Sequence, residues 1–183
     1  MNEIIAAIKS RRSVRRYKAY PIGRDELDAI VEAGLFAPSA INQQSWHFTV
    51  IRNKEVIDRL SLGVKGLLHT HSDEHVRGFA KMDKYHVFYD APAVVLVSLD
   101  QKALAPMSDC SAAIQNMLLA AESLGIGSCW VGMTSVYFTD ESHNADFGIP
   151  EGFQPRYAVC LGYPDAPKGK APKRREGTVN YID

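Results

Sequence analysis

Arg11-Arg12-Ser13-Val14-Arg15-Arg16-Tyr17 places four arginines and a serine within seven residues, directly after a short apolar segment. Guanidinium forks and a hydroxyl match the oxygens of a phosphate, so this run is a candidate anion site. A second stretch, Ala37-Pro38-Ser39-Ala40-Ile41-Asn42-Gln43-Gln44-Ser45-Trp46-His47-Phe48, follows about one helix later. Its small and amide side chains can approach a polar, planar ligand closely. Together the two stretches point to a phosphorylated, ring-bearing cofactor rather than to an active-site triad.

Other arrangements of reactive residues carry less. Gly125-Ile126-Gly127 closes a helical pattern instead of opening one after a strand, and Trp130 stands where a dinucleotide fingerprint needs its third glycine, so helix capping accounts for it. His71 and His75 would share a face if they lay on one helix and could then hold zinc or iron with a carboxylate. The segment around them is polar, and a solvated loop or substrate-side lid is the expected role. Cys110, Cys129 and Cys160 are odd in number and widely spaced, which fits buried free thiols better than a disulfide framework. No metal site is expected, and no G-x-S-x-G elbow or Walker loop is present.

The elements that must position these residues are legible as patterns. Ile4, Ile5 and Ile8 share one face of a first helix. Leu27, Ile30, Val31, Gly34 and Leu35 form the stripe of a second, with Asp25 and Glu26 in its first turn and Pro38 ending it. Phe48–Ile51 reads as a strand, and Val56, Ile57 and Leu60 as one face of a short helix; residues 63–90 read as loop plus helix. Ala93–Leu99 is a continuous apolar run of strand length, the mark of a strand covered on both faces. Cys110, Ala113, Ile114, Met117, Leu118, Ala121 and Leu124 give a helix apolar over so wide an arc that it should be central. Ser128–Met133 and Arg156–Gly162 read as further strands, with a small helix near Asp140–Phe147 between them. Helices around a small sheet, without strict alternation, predict an α+β fold.

At 183 residues, 46% of them hydrophobic and 23% charged, the chain suits one soluble domain over residues 1–183 with a real core. No apolar run approaches the ~20 residues of a membrane span and no signal-peptide core is seen, so no membrane association and a cytoplasmic location are expected. Lys plus Arg and Asp plus Glu both number 21, and zero net charge argues against general nucleic-acid binding. The positive charge is nonetheless gathered at residues 9–18 and 168–175. A proline-bearing basic tail cannot build a core of its own, so residues 164–183 should lie along another surface, such as a second subunit's.

In order, Arg11-Arg12-Ser13-Val14-Arg15, the 37–48 stretch, Leu124-Gly125-Ile126-Gly127-Ser128-Cys129-Trp130-Val131-Gly132, and Gly162-Tyr163-Pro164 leading to Lys173-Arg174-Arg175 resemble the FMN-dependent nitroreductase family in its short single-domain form. The resemblance covers nearly the whole chain. It implies a homodimer of α+β subunits, each with a central mixed sheet flanked by helices, termini wrapping the partner, and FMN bound at the interface. By that likeness Arg11, Arg12 and Ser13 bind the phosphate and ribityl end, and Arg15 lies near the pyrimidine edge of the ring. Pro38, Ser39, Ala40, Asn42 and Gln44 come from the other subunit. The backbone at Val131 and Gly132 faces the flavin N5 with Trp130 adjacent, and Lys173 and Arg175 close on the phosphate, with a register that can slip by one to Arg174. Two departures stand out: Ser45 replaces a proline common before the tryptophan, and no residue of 63–90 matches the amide or lysine that many relatives offer the pyrimidine edge. The activity implied is ping-pong transfer of two electrons from NADH or NADPH to a nitroaromatic, quinone or similar flat small-molecule acceptor, with no dedicated acid or base. The alternatives are dehalogenation or oxygen-dependent flavin chemistry on the same fold, and a flavin-holding protein without turnover.

Overall fold

The computed structural model describes residues 2–183. The first helix, α1 (Glu3–Ser10), is capped by Asn2, whose side chain accepts from the Ile5 amide at 3.0 Å, and buries none of its residues. Helix α2 (Arg24–Leu35) starts at Gly23, whose amide donates to the Glu26 carboxylate at 3.1 Å, and turns Leu27, Ile30 and Gly34 inward. It stops two residues before Ala37, whose backbone the following Pro38 keeps out of helical conformation. Strand β1 (Trp46–Ile51) begins two residues earlier than expected. Helix α3 (Lys54–Leu68) is much longer than the short helix predicted, because Ser61, Val64 and Leu68 continue the inward stripe of Ile57 and Leu60. Helix α4 (Glu74–Ala80) starts at Asp73, whose carboxylate accepts from the amides of His75 and Val76.

Strand β2 (Ala93–Asp100), helix α5 (Pro106–Ser123), strand β3 (Gly127–Val131), two 3-10 segments (Met133–Thr139 and Glu141–Phe147) and strand β4 (Phe153–Gly162) complete the chain. The strands order as β1-β2-β4-β3. A mixed sheet was expected, but every ladder between these strands is antiparallel, and the single parallel pairing among the described residues is the bridge of Ser13 to Ser128. β2 and β3 run in the same direction. They do not touch, because the crossover through α5 sets β3 one strand further out and β4 fills the gap.

The sheet is covered on both faces, as the apolar run of β2 requires. Val94 and Leu96 point to one side with Cys129, Ala158 and Cys160, against α3, Phe88 and Phe138. Ala93, Val95 and Val97 point to the other with Val159 and Leu161, against α2 and α5. Ala113, Ile114, Met117 and Ala121 of α5 are wholly buried, which confirms that helix as central. All three cysteines are buried free thiols, and burial pushes the Cys110 thiol up to about 12. Among the described residues no helix is long and apolar enough to cross a membrane.

Candidate functional site

After α1 the arginine run leaves helical geometry and is stapled to two strand ends. The Val14 amide donates to the Ser128 carbonyl at 2.9 Å, and the Lys18 amide donates to the Tyr163 carbonyl at 2.9 Å. Between them the Asp165 amide donates to the Arg16 carbonyl at 3.0 Å, and Tyr17 pairs with Pro164. Tyr17 braces the strip from inside, its hydroxyl donating to the Val14 carbonyl at 2.6 Å; burial raises its pKa strongly, so it stays a neutral donor. Val14 can lie this close to β3 only because Gly127 has no Cβ, which would stand 2.8 Å from a Val14 methyl.

The strip forms one wall of a cleft of about 360 Å³, whose lining includes Arg11, Arg12, Ser13, Arg15, Lys170 and Arg174 and no carboxylate. The Arg12 guanidinium is partly spent on the end of α1, donating to the Lys9 carbonyl at 2.8 Å and to the Arg11 carbonyl. Its Nε is buried and has no partner among the described residues. A leftover buried donor within a lining of cations and hydroxyl fits a phosphate-bearing group. The tail reaches this cleft by way of Glu122. That carboxylate accepts from Lys168 and from the Ser10 hydroxyl, each at 2.6 Å, tying the ends of α1 and α5 to the tail. Burial pushes the Glu122 pKa up, but Lys168 and Ser10 outweigh it and hold the group below the usual carboxylate range. Lys170 and Arg174 then face the strip. Lys173 instead pairs with Glu176 at 2.8 Å, and Arg175 lies outside the cleft lining.

The loop of 38–44 does not meet the arginine strip within one chain, since none of Pro38, Ser39, Ala40, Asn42 and Gln44 lines that cleft. It is seated on α5. Buried Asp109 accepts from the Ala40 amide at 3.0 Å and from the Ser45 hydroxyl at 2.6 Å. Ser45 therefore replaces the proline's stiffness with a buried hydrogen bond. Ile41, Asn42 and Gln44 all hold left-handed backbone (φ 45°, 57° and 49°), a strained stretch of the kind found where a ligand is gripped. On β3, Trp130 sits edge-on to Tyr157 at 5.1 Å, Val131 is buried opposite Ala158, and Gly132 is exposed at the strand's end.

One neighbour of the strip carried no recognised signal. The ring of Tyr89 lies under the Arg15 guanidinium, 5.7 Å from it to the centroid. Tyr89 is the largest influence on Arg15 and raises its pKa above the ordinary value despite desolvation. The two histidines weighed as metal ligands do not form a site. His71 precedes the cap of α4 and accepts from the Asp73 amide at 3.1 Å, while His75 packs on Phe79. Asp58, His86 and Asp90 do cluster, but His86 Nδ1 accepts from the amides of Phe88 and Asp90, so its proton is on Nε2, facing Asp58 at 3.3 Å. That imidazole has no lone pair left for a metal.

Fold and cleft together define an α+β chain with a cationic strip beside an outer strand and a strained loop poised away from it. The nitroreductase family model matches residues 8–163, and the chain belongs to that family. It is 36% identical over 172 residues to an Archaeoglobus fulgidus protein described as an NADH dehydrogenase/NAD(P)H nitroreductase, covering 90% of this chain and 87% of that one. A Methanothermobacter thermautotrophicus protein of the same description is 34% identical over 166 residues, covering 88% and 78%. Among solved structures, a Bacteroides fragilis nitroreductase with bound FMN superposes over all of both chains at a TM-score of 0.92 and 36% identity. An FMN-bound nitroreductase from Desulfitobacterium hafniense does so at 0.91 and 29%.

Proposed function

We propose that this protein is a cytoplasmic FMN-dependent NAD(P)H oxidoreductase, acting as a homodimer. It passes two electrons in ping-pong order to nitroaromatics, quinones or similar flat acceptors. The observation that carries this is the acid-free cleft of Arg11, Arg12, Ser13, Arg15, Lys170 and Arg174 with its unpartnered Arg12 Nε. The FMN bound by the Bacteroides fragilis and Desulfitobacterium hafniense proteins and the NAD(P)H named for the archaeal relatives support it.

FMN, when bound, supplies the two-electron chemistry; the protein supplies position and field. Arg11, Arg12 and Ser13 hold the phosphate and ribityl end, with Arg174 and Lys170 of the tail closing over them; Lys173 and Arg175 flank that closure. Arg15 stands at the pyrimidine edge, where its charge favours the added electrons. The backbone of Val131 and Gly132, beside Trp130, orients the ring. Pro38, Ser39, Ala40, Asn42 and Gln44 serve the partner's cofactor, which accounts for their separation from the strip of their own chain. Residues 1–183 act as one domain, with the part of the 164–183 tail beyond Arg174 lying on the partner. No residue is required as a general acid or base.

The test is an absorbance spectrum of freshly purified protein, repeated on the filtrate after denaturation. Flavin bands with about one FMN released per chain are expected. A colourless protein that also fails to take up added FMN would overturn the proposal.

A further inference from the structure

The loop between α4 and β2 holds two consecutive residues, Tyr89 and Asp90, in left-handed backbone at φ 56° and 54°. Residues with a Cβ keep that conformation only where their surroundings over-determine it, and such places cluster at functional sites. Here the surroundings do so. His86 Nδ1 accepts from the Phe88 amide at 3.1 Å and the Asp90 amide at 3.2 Å, and the Tyr89 amide donates to the His86 carbonyl at 2.9 Å. The Val87 amide donates to the Ser61 hydroxyl at 2.9 Å, and Val87 and Phe88 are wholly buried. Between these anchors the half-buried Tyr89 ring faces the Arg15 guanidinium, while Asp90 is exposed. Tyr85, stacked on Phe79 at 5.0 Å, meets the Tyr89 ring edge-on at 6.3 Å and backs it from behind.

The partner's chemistry matters. Arg16, next in the chain, faces Asp165 at 3.9 Å, and a carboxylate there cancels part of its charge. Arg15 faces a phenol ring, which holds a guanidinium through its π face and brings no opposing full charge, leaving the positive charge whole. We propose that Tyr89 is a positioning residue that sets the electron affinity of the bound cofactor, holding Arg15 in place with its charge undiminished. The proposal rests on the placement of Arg15 at the cofactor's pyrimidine edge given above.

The experiment is a spectroelectrochemical measurement of the flavin midpoint potential in the holoprotein. It compares wild type, Tyr89→Leu, Tyr89→Phe, Arg15→Gln and the Tyr89→Leu/Arg15→Gln pair, with thermal unfolding recorded for each. Tyr89→Leu is expected to lower the preference for reduced over oxidised FMN about tenfold, or about 30 mV for a two-electron couple. Tyr89→Phe keeps the ring and loses the hydroxyl, and should lower it about threefold; this variant carries the test if the leucine protein does not fold. In the Arg15→Gln background, Tyr89→Leu should add nothing, because Tyr89 acts through Arg15. A wild-type potential in both Tyr89 variants overturns the proposal, as does an equal shift in both backgrounds. An Arg15→Gln protein with wild-type potential removes the placement of Arg15 and the proposal with it. A wild-type protein that binds no FMN removes the cofactor assignment itself.

Discussion

Arg11 and Arg12 differ in how much of each side chain remains for a ligand. Arg12 has two of its side-chain nitrogens on the carbonyls that end α1, whereas among the described residues no such bond occupies the Arg11 side chain. Arg11→Ala and Arg12→Ala should each weaken FMN binding by about 1.5–3 kcal/mol, the worth of a charge-assisted hydrogen bond. That is roughly tenfold to a hundredfold in Kd by flavin fluorescence titration. Arg12→Ala should also lower the melting temperature, by freeing the helix end it closes; equal stability in the two variants would contradict that second role. The arginines were legible because the signal is local, four guanidinium groups and a hydroxyl in seven residues. Tyr89 was not, because its position follows from a histidine turn and two buried anchors that no periodicity announces. The tail register fell between two readings: Arg174, not its neighbours Lys173 and Arg175, lines the cleft, and the contact choosing it is Lys168 on Glu122, 46 residues away in sequence.

The strip from Arg11 to Lys18 works as an element although it is neither helix nor strand, and its placement depends on contact with β3. Gly127→Ala would drive a Cβ to within 3.0 Å of three Val14 side-chain atoms. Valine, branched at Cβ, has little freedom to swing aside. Overpacking of this kind costs about 1–3 kcal/mol. The melting temperature should fall by about 2–4 °C per kcal/mol lost, and FMN affinity should fall with it as Ser13 and Arg15 shift. Loss of stability with unchanged FMN affinity would separate the strip from the site. Strands and helices that declare themselves in one stretch, β2 and α5 above all, matched their sequence patterns. What the patterns do not carry is pairing order, since β4 reaches back more than 50 residues to pair with β2 as well as pairing with the nearer β3. Ser45 is similar: its meaning lies in Asp109, on a helix 64 residues further on.

A single chain leaves much apolar surface uncovered. Ile4, Ile5 and Ile8 of α1 are exposed, Phe36 is 79% and Ile41 82% accessible, and Val179, Tyr181 and Ile182 close the tail in the open. Large apolar side chains exposed together on one element, as on α1, mark an interface between molecules. Sedimentation equilibrium should give twice the 20.3 kDa chain mass. Phe36→Glu combined with Ile41→Glu should bring the mass to that of one chain and release FMN at the same time, since the strained loop would no longer reach a partner. A one-chain mass with full FMN content would overturn the shared site. The bond from Val14 to Ser128 has a separate consequence for where the chain can be shortened. β3 is one of the sheet's two edge strands, and the strip lies along its free side. A deletion past Val14 would bare a row of unpaired amides and carbonyls, the template on which sheets of different molecules join. The strip at Ser13 and Val14 thus covers an open sheet edge, a role that stands even where no cofactor is at stake.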